Sequence, residues 1–260
     1  MIRTFDTPEP VDLFVEIHNG DITVRASDTH TTTIEVVGDE TDIRVEHDGS
    51  AVRVIGPKVS GLGFFRRTVG ATIRATVPAT SSAVIRTASA DCTLAGDLRS
   101  IDVRSASGDI VTTGRPGALT LLSGSGDLSI EAYTVSLSAT TGSGDVTIAS
   151  ADQPCQVKAG SGDVLVHGSA ADLDVGTGSG DVTLASVAGG RVRVRAGSGD
   201  LRVAVQDGIP VWTQVSALGD VTNRLTPRGT PQDGQGHVEL RAQVGSGDVT
   251  LADAPRVDRA

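Results

Sequence analysis

Aspartate is the residue type whose spacing in this sequence could do chemistry, because it closes a repeated Gly-Ser-Gly-Asp unit. Six aspartates of this unit and its variants follow one another at a constant interval: Asp91, Asp109, Asp127, Asp145, Asp163 and Asp181. The interval then lengthens stepwise to Asp200, Asp220 and Asp248. Calcium binds carboxylate oxygens, and Gly- and Asp-rich repeats bind it in β-rolls. The pattern therefore yields a set of calcium candidates, namely Asp109, Asp127, Asp145, Asp163 and Asp181.

A structural role for the Gly-Ser-Gly-Asp unit competes with the calcium role. β-Roll sites need Gly and Asp turns on both sides of a coil, whereas the opposite turns here read ASADQ (149–153), HGSAA (167–171) and SVAGG (186–190). Glycine tolerates a positive φ, and Asp and Ser side chains hydrogen-bond nearby backbone groups, so the unit is typical of a sharp corner. We therefore expect no cofactor, with calcium as the open alternative.

No other group of residues in the sequence has the spacing of a catalytic or metal site. The five histidines are scattered, and HExxH, CxxC and GxSxG patterns are absent. The repeated unit also lacks the lysine of a phosphate-binding loop. Cys92 and Cys155 fall on predicted inward positions three coils apart, too far for a disulfide, and are interpreted as buried thiols. We expect no catalytic residues and no enzyme activity.

The elements that position these residues follow from the fixed period and the alternation of apolar residues. Inward positions fall one, three, ten and twelve places after each aspartate, as in Val164, Val166, Leu173 and Val175. A period of two predicts strands, and a fixed short repeat predicts stacked coils. The sequence thus predicts an all-β fold, a single parallel β-solenoid with about 18 residues per coil. We expect a right-handed β-helix, because parallel crossovers are nearly always right-handed.

Two other all-β architectures fit the pattern less well. A β-sandwich has short strands and regular turns, but it does not need near-identical turns at a fixed register. A left-handed hexapeptide helix has coils of the same length, yet it would repeat an aliphatic residue at every sixth position. The parallel β-solenoid is therefore the preferred prediction.

Three regions differ in the regularity of this pattern. Residues 1–90 are rich in predicted strands without the strict repeat, and are assigned to irregular N-terminal coils and a cap continuous with the solenoid. Residues 91–251 carry the regular repeat, and 252–260 are assigned to a flexible tail. A solenoid needs covered ends, because open strand edges promote polymerisation.

Alternating arginines test the predicted register of the coils. Arg191 and Arg193 lie one coil after Asp172 and Asp174 on the predicted outer face, and Arg195 continues the row. The register predicts the ion pairs Asp172–Arg191 and Asp174–Arg193, each worth about 0–1 kcal/mol at a surface. The row is interpreted as solvated, with an anion site as the alternative.

Charge and hydropathy limit the classes of partner and the location. Acidic residues number 32 against 22 basic ones, a net charge of −10, which repels nucleic acid and anionic membrane surfaces. No apolar run is long enough to span a membrane, and the first residues do not have the pattern of a signal peptide. We expect a cytoplasmic protein, with a surface location only by a route that the sequence does not show.

One loop, GPKVSGLGFFRRTVG (56–70), combines exposed-looking apolar and basic residues. Its candidates for contact with a protein partner are Leu62, Phe64, Phe65, Arg66 and Arg67. Either the loop folds back and plugs one end of the solenoid, or it provides a sticky contact for a partner or a membrane surface.

The whole chain resembles a known family of bacterial β-strand-repeat proteins. The resemblance lies in TFDTPEP near the start, the GLGFFRR loop, the GSGDV units, and the ending GIPVWTQVSALGDVTNRL…GHVELRAQVGSGDVTL. These stretches are similar to actinobacterial members of a family of unknown function whose proteins are labelled adhesins. The resemblance implies a β-solenoid and no established activity, so it supplies no catalytic residues.

Four functions remain in view at this point. The preferred one is a non-enzymatic scaffold or adhesin-like module that binds an unknown protein. The main alternative is a structural protein that self-associates through its solenoid ends, although a monomer is equally open. A calcium-binding repeat protein and a carbohydrate-active β-helix enzyme are the less favoured readings.

Overall fold

The computed structural model describes residues 1–38, 42–57, 70–229 and 236–255. These residues form 23 β-strands joined by turns, without a helix. None of the described chain could therefore cross a membrane as a helix. The chain divides into two compact units after Leu128, inside strand β11 (Leu128–Ile130).

The regular coils of the first unit are parallel and in register. Strand β2 (Asp12–Ser27) pairs along its length with β7 (Ser82–Ala95), so one long strand forms each of these coils. Strand β7 then pairs with two shorter strands, β8 (Ser100–Ser105) and β9 (Ile110–Thr113). Strand β8 pairs in turn with β10 (Ala118–Ser123), and Leu119 lies opposite Ile101. This offset equals the interval between the repeat aspartates, so the predicted period is confirmed here.

The beginning of the first unit departs from the parallel pattern. Its strands are β1 (Ile2–Asp6), β3 (Thr31–Gly38), β4 (Arg44–Asp48), β5 (Ala51–Ile55) and β6 (Ala71–Pro78). Strands β5 and β6 are parallel to β2, whereas β1–β3, β3–β6 and β4–β5 are antiparallel. Antiparallel neighbours cover a parallel edge that would otherwise expose its backbone groups.

The second unit consists of parallel strands in two sequence-alternating sets. They are β12 (Ser136–Thr141), β13 (Val146–Ala151), β14 (Cys155–Ala159), β15 (Val164–Ser169), β16 (Leu173–Ser179), β17 (Val182–Val187), β18 (Gly190–Ser198), β19 (Leu201–Val205), β20 (Val211–Ala217), β21 (Val221–Arg224), β22 (Val238–Ser246) and β23 (Val249–Asp253). Even-numbered strands pair with even-numbered ones, and odd-numbered with odd-numbered. Strand β23 extends to Asp253, beyond the boundary at 252 expected for the tail, and 256–260 lie outside the described residues.

The last coils of the second unit are not stacked in sequence order. Strand β18 pairs with β22, and β22 pairs with β20 on its other side. Likewise β23 lies between β19 and β21. The chain therefore skips one coil position, builds the terminal coil from β20 and β21, and returns to fill the gap. The order of these coils in space therefore differs from their order in the sequence.

The core consists of the inward residues of every coil. In the second unit the positions predicted from the alternation are buried, for example Val146, Ile148, Cys155 and Val157. Each fully buried aliphatic side chain contributes about 1.5–3 kcal/mol relative to an exposed one. Parallel strands lie about 4.8 Å apart, so equivalent residues stack in columns along the solenoid. The all-β, parallel β-solenoid prediction is confirmed.

In several coils the corner is held by a hydroxyl group that points inward. Ser123 is buried, and its Oγ accepts a hydrogen bond from the N–H of Gly126 at 2.8 Å. Ser105 does the same for Gly108, and Thr141 for Gly144, in their own coils. An inward hydroxyl thus satisfies a backbone N–H that the core would otherwise leave unpaired.

The glycines of the corner are required by close stacking more than by backbone conformation. A Cβ at Gly126 would lie 2.0 Å from the carbonyl oxygen of Gly108, and one at Gly162 would lie 1.9 Å from that of Gly144. A positive φ occurs at Gly199 and at few other repeat glycines. The reason expected from the sequence, a positive φ at every corner, is therefore wrong for most coils.

Candidate functional site

The predicted partner-binding loop cannot be placed against the fold. Its candidates, Leu62, Phe64, Phe65, Arg66 and Arg67, lie outside the described residues, which stop at 57 and resume at 70. The choice between a plug and a contact site thus stays a prediction. The candidate site described here lies elsewhere, in the second unit.

The aspartates of the repeat form a ladder of side chain-to-backbone hydrogen bonds. In the second unit each Oδ1 accepts from the backbone N–H of the equivalent aspartate in the neighbouring coil. The pairs and their N–Oδ1 distances are Asp163–Asp145 at 2.8 Å, Asp181–Asp163 at 2.7 Å, Asp200–Asp181 at 2.8 Å, Asp248–Asp200 at 3.0 Å and Asp220–Asp248 at 2.9 Å. The first unit has the same bonds at Asp109–Asp91 and Asp127–Asp109. The aspartates therefore join neighbouring coils.

The hydrogen bonds of this ladder occupy carboxylate oxygens of the calcium candidates. One carboxylate oxygen of Asp109, Asp145, Asp163 and Asp181 is already directed at a backbone N–H. Within the described ranges, no three His, Cys, Asp or Glu side chains come together as a set that could hold a metal ion. The hydrogen bonds that these carboxylates accept from backbone N–H groups favour a structural role for the ladder.

Asp181 accepts a hydrogen bond from the neighbouring coil and also binds a cation, Arg202, whose other amino group binds Asp200. The pKa of Asp181 lies below the usual 3.8, first because this carboxylate accepts the N–H of Asp200 and then because Arg202 donates to it at 3.1 Å. A carboxyl group with a lowered folded-state pKa stabilises the fold above its unfolded pKa, and this contribution is lost as the pH falls through the folded value. The pH range in which this stabilisation is lost therefore lies below about pH 4.

We expect Arg202→Ala to raise the pKa of Asp181 part of the way toward its usual value. The Asp200 N–H remains in the variant, so the pKa stays below that of an unpaired aspartate. Carboxyl-detected NMR titration measures this shift directly. Arg191→Ala, which removes an arginine bound to Asp172 instead, is the matched control. An unchanged Asp181 pKa in Arg202→Ala would contradict the assignment of the cause.

The thiol groups are poor nucleophiles at neutral pH. Burial raises the pKa of Cys92 to about 12, with a further increase from Asp91, and burial raises that of Cys155 to about 11. Both cysteines are free and buried, as the sequence predicted. Tyr133 packs beside Cys155 and donates its hydroxyl to the carbonyl of Gln153 at 2.8 Å, and burial raises its pKa too. These groups pack the core.

The arginine row of β18 has the predicted register but not both predicted ion pairs. Leu173 lies opposite Val192 and Asp174 opposite Arg193, as expected. Arg191 pairs with Asp172 at 3.4 Å, which confirms the first pair. Asp174 pairs with Arg195 at 3.5 Å, so the second pair was assigned to the wrong arginine. Two arginines on one strand lie within reach of the same carboxylate, and the register alone could not choose between them.

Arg193 is consequently a partly buried cation without a bound acceptor. Its side chain has no ion-pair or hydrogen-bond partner anywhere in the described ranges, although it is only partly exposed. Its neighbour on β22 is Arg241, another cation, at the matching position. Like charges on adjacent strands repel, so this arrangement favours an anion above the sheet.

These arginines line a groove on the outer face of β18, β22 and β20. The groove has a volume of about 190 Å3. Its polar lining, here named the arginine groove, consists of Arg193, Arg195, Arg241, Gln214, Gln243 and Ser216. Arginine, amide and hydroxyl groups all donate hydrogen bonds, and no acidic side chain of the described residues lines the groove. The groove is thus built to receive acceptor atoms.

Trp212 lies beside the arginine groove and restricts the conformation of the Arg241 side chain. The guanidinium carbon of Arg241 lies 5.5 Å from the centre of the Trp212 ring, and Glu239 binds the same guanidinium at 2.6 Å. A cation over an indole ring is attracted by the ring electrons, which restricts the arginine. Trp212 itself is 50% exposed. The chain's single tryptophan is therefore presented at the rim of a cationic groove.

Sequence reasoning missed this site because its residues come from strands that are neighbours in space but not in chain order. Arg193, Arg241 and Gln214 share one row only because β22 lies between β18 and β20. The signal that could have drawn attention to it is the single tryptophan, which precedes the longest interval between aspartates.

The terminal coil next to the groove is the open end of the described second unit. Its inward residues Val211, Thr213, Val215 and Ala217 are half-buried, whereas their counterparts in β22 are buried. Leu218 is 89% exposed. Among the described residues, β20 and β21 each pair with a strand on one side only.

Comparison with known proteins places these features in a family. The model of the family described as Toastrack DUF4097 matches residues 11–258. A search of the curated proteins gave no match. The family match spans the repeat, the groove and the N-terminal coils alike.

Solved structures with a similar backbone were also found. One is a "putative lipid binding protein" from Parabacteroides distasonis, with a TM-score of 0.52, 14% identity and 96% of each chain covered. Another is a "putative adhesin" from Bacteroides fragilis, with a TM-score of 0.47, 13% identity and 96% of each chain covered. A "putative adhesin" from Parabacteroides merdae has a TM-score of 0.41 and 12% identity, covering 96% of this chain and 95% of that one. At such identities the likeness is one of fold.

Proposed function

Since this chain belongs to the Toastrack family (DUF4097), whose role is unknown, we propose that it is a non-enzymatic, adhesin-like scaffold that binds another protein. The binding surface is the arginine groove together with Trp212. The observation that carries the proposal is Arg193, a partly buried guanidinium with no acceptor within the described ranges. Desolvating a cation without a partner is costly, so such a group is typical of a surface that is completed by a ligand.

The composition of this surface supports binding to a protein. Residues that dominate binding energy at protein interfaces are enriched in tryptophan and arginine, and they cluster where water is excluded. Trp212, Arg193 and Arg241 meet this description on one sheet face. Their backbones are held in a parallel ladder of regular register. Such a platform loses little conformational freedom when a partner binds, which favours affinity.

The lining of the groove supports a role without catalysis, because none of its described side chains readily transfers a proton at neutral pH. The lining contains arginine, amide and hydroxyl groups, and arginine stays protonated in proteins. The thiols of Cys92 and Cys155 are buried and far from ionisation. These features support binding without turnover.

The proposal is tested by cross-linking at the groove. A photo-cross-linking amino acid in place of Gln214 is expected to capture a partner protein from the cells that make this chain. We expect Trp212→Ala in the same background to reduce capture at least about tenfold, because interface tryptophans contribute about 2 kcal/mol or more. Val135→Ala, which truncates another exposed apolar side chain of the same unit, is the control and keeps the capture.

The other outcomes separate the alternatives. Absence of any cross-linked protein, or equal capture by both variants, would contradict a binding role for this face. Capture of the chain by itself would favour the second candidate function, self-association through the solenoid end. The observation that favours this candidate is the open terminal coil, with Val221 48% exposed and Leu218 more so.

A further inference from the structure

We infer that the arginine groove recognises an extended protein segment that carries carboxylates at alternate positions. This inference rests on the proposed function and names the chemistry of the partner. Arg193 is the primary contact. Arg195, which Asp174 contacts through one amino group at 3.5 Å, offers its remaining N–H groups as the second contact, and Gln214, Gln243 and Ser216 donate to the backbone carbonyls of the bound segment. The arginine fork matches the two oxygens of a carboxylate, so one side chain can make two parallel hydrogen bonds.

The spacing of the arginines specifies the spacing of the acids. Arg193 and Arg195 stand on one strand with Val194 between them, and two steps along a strand span about 6.6 Å. An extended peptide has the same repeat, so acids at alternate positions reach both guanidinium groups at once. Acids three residues apart point to opposite sides of an extended peptide, so they cannot reach both guanidinium groups. The groove therefore distinguishes two peptides of identical charge.

Acids at alternate positions already bind this row of arginines within the fold, although the two arginines that they bind are four residues apart and leave Arg193 between them. Asp172, just before strand β16, and Asp174 on that strand stand at alternate positions, and they bind Arg191 at 3.4 Å and Arg195 at 3.5 Å on β18. The arginine row thus already pairs with alternating acids on its β16 side. Arg193, in the middle of the row, is the member left without an acceptor within the described ranges.

Charge explains why a specific geometry is needed for such a partner. The chain has a net charge of −10, so its overall field repels an acidic segment. The groove has arginines at three of its lining positions and no acid among its described lining residues, and although Asp174 and Glu239 bind Arg195 and Arg241 from outside the lining, Arg193 keeps its full positive charge. Short-range, partly desolvated pairs have to exceed a repulsion that is screened within about 8–10 Å at physiological salt. We therefore expect binding to strengthen, not weaken, when salt is raised from very low to moderate concentrations.

The test uses labelled peptides and fluorescence anisotropy with the full chain. The probes are a peptide in which three aspartates alternate with threonine between threonine flanks, one of the same composition with its aspartates three residues apart, and one with asparagine replacing aspartate. The alternating peptide is expected to bind at least about tenfold more tightly than the other two, because it alone places carboxylates beside both arginines at once. Arg193→Gln is expected to remove that preference.

A matched variant controls for net charge. Arg224→Gln removes the same charge from an exposed position on β21, away from the groove, and is expected to leave the affinity unchanged. Equal loss in both variants, equal affinity for the two aspartate peptides, or tighter binding of polygalacturonate than of the alternating peptide would overturn the inference. A partner cross-linked at position 214 whose capture is insensitive to Arg193→Gln would also overturn it while leaving the binding scaffold intact.

Discussion

Gly162→Ala is expected to lower the free energy of unfolding by about 3 kcal/mol. The added Cβ would lie 1.9 Å from the carbonyl oxygen of Gly144 and 3.1 Å from the backbone nitrogen of Asp145. Both contacts are to backbone, so neither can be relieved by rotating a side chain. The two coils would have to separate, which would also weaken the bond from the Asp163 N–H to Asp145.

Gly176→Ala provides the control for this prediction. Gly176 lies on β16 in the same unit, has an ordinary φ, and has no atom within 4 Å of an added Cβ. Alanine is favoured over glycine in a strand, so the free energy of unfolding should change by less than about 1 kcal/mol. Urea unfolding followed by circular dichroism measures both variants. Equal destabilisation would mean that loss of glycine flexibility, not coil contact, is what the corner resists.

The fold was predictable from sequence to the extent that it depends on alternation and period. The inward positions of Val146, Ile148, Cys155 and Val157 follow from a two-residue period, and burial confirms each of them. The constant interval between aspartates fixes which residues stack. The position of Asp174 directly opposite Arg193 on the adjacent strand shows this register. Both signals are local, since every coil repeats them.

The parts that could not be predicted depend on contacts between distant segments. The long interval between Asp220 and Asp248 shows that the chain makes a longer connection, but not that it returns to fill a skipped coil. The steric role of Gly162 depends on a carbonyl in the neighbouring coil, which the sequence does not display. The arginine groove requires β22 to lie between β18 and β20, so it was not recognised until the strand order was known.

Val249→Ala is expected to lower the free energy of unfolding by about 2 kcal/mol, whereas Val221→Ala should lower it by less than about 0.5 kcal/mol. These two valines occupy the same inward column and face each other across β21 and β23. Val249 is fully buried because its strand lies between β19 and β21, but Val221 is 48% exposed at the open end. Truncation of the first leaves a cavity, and truncation of the second leaves a surface that water reaches.

This pair of variants discriminates between the observed coil order and the order of the sequence. If the coils were stacked as they are written, Val221 would be enclosed between β19 and β23 and Val249 would lie at the end. The two stability changes would then be reversed in size. Urea unfolding of both variants decides between these orders, and hydrogen exchange adds an independent reading. The amides of β22 and β23 should exchange more slowly than those of β20 and β21, because only the former have paired strands on both sides among the described residues.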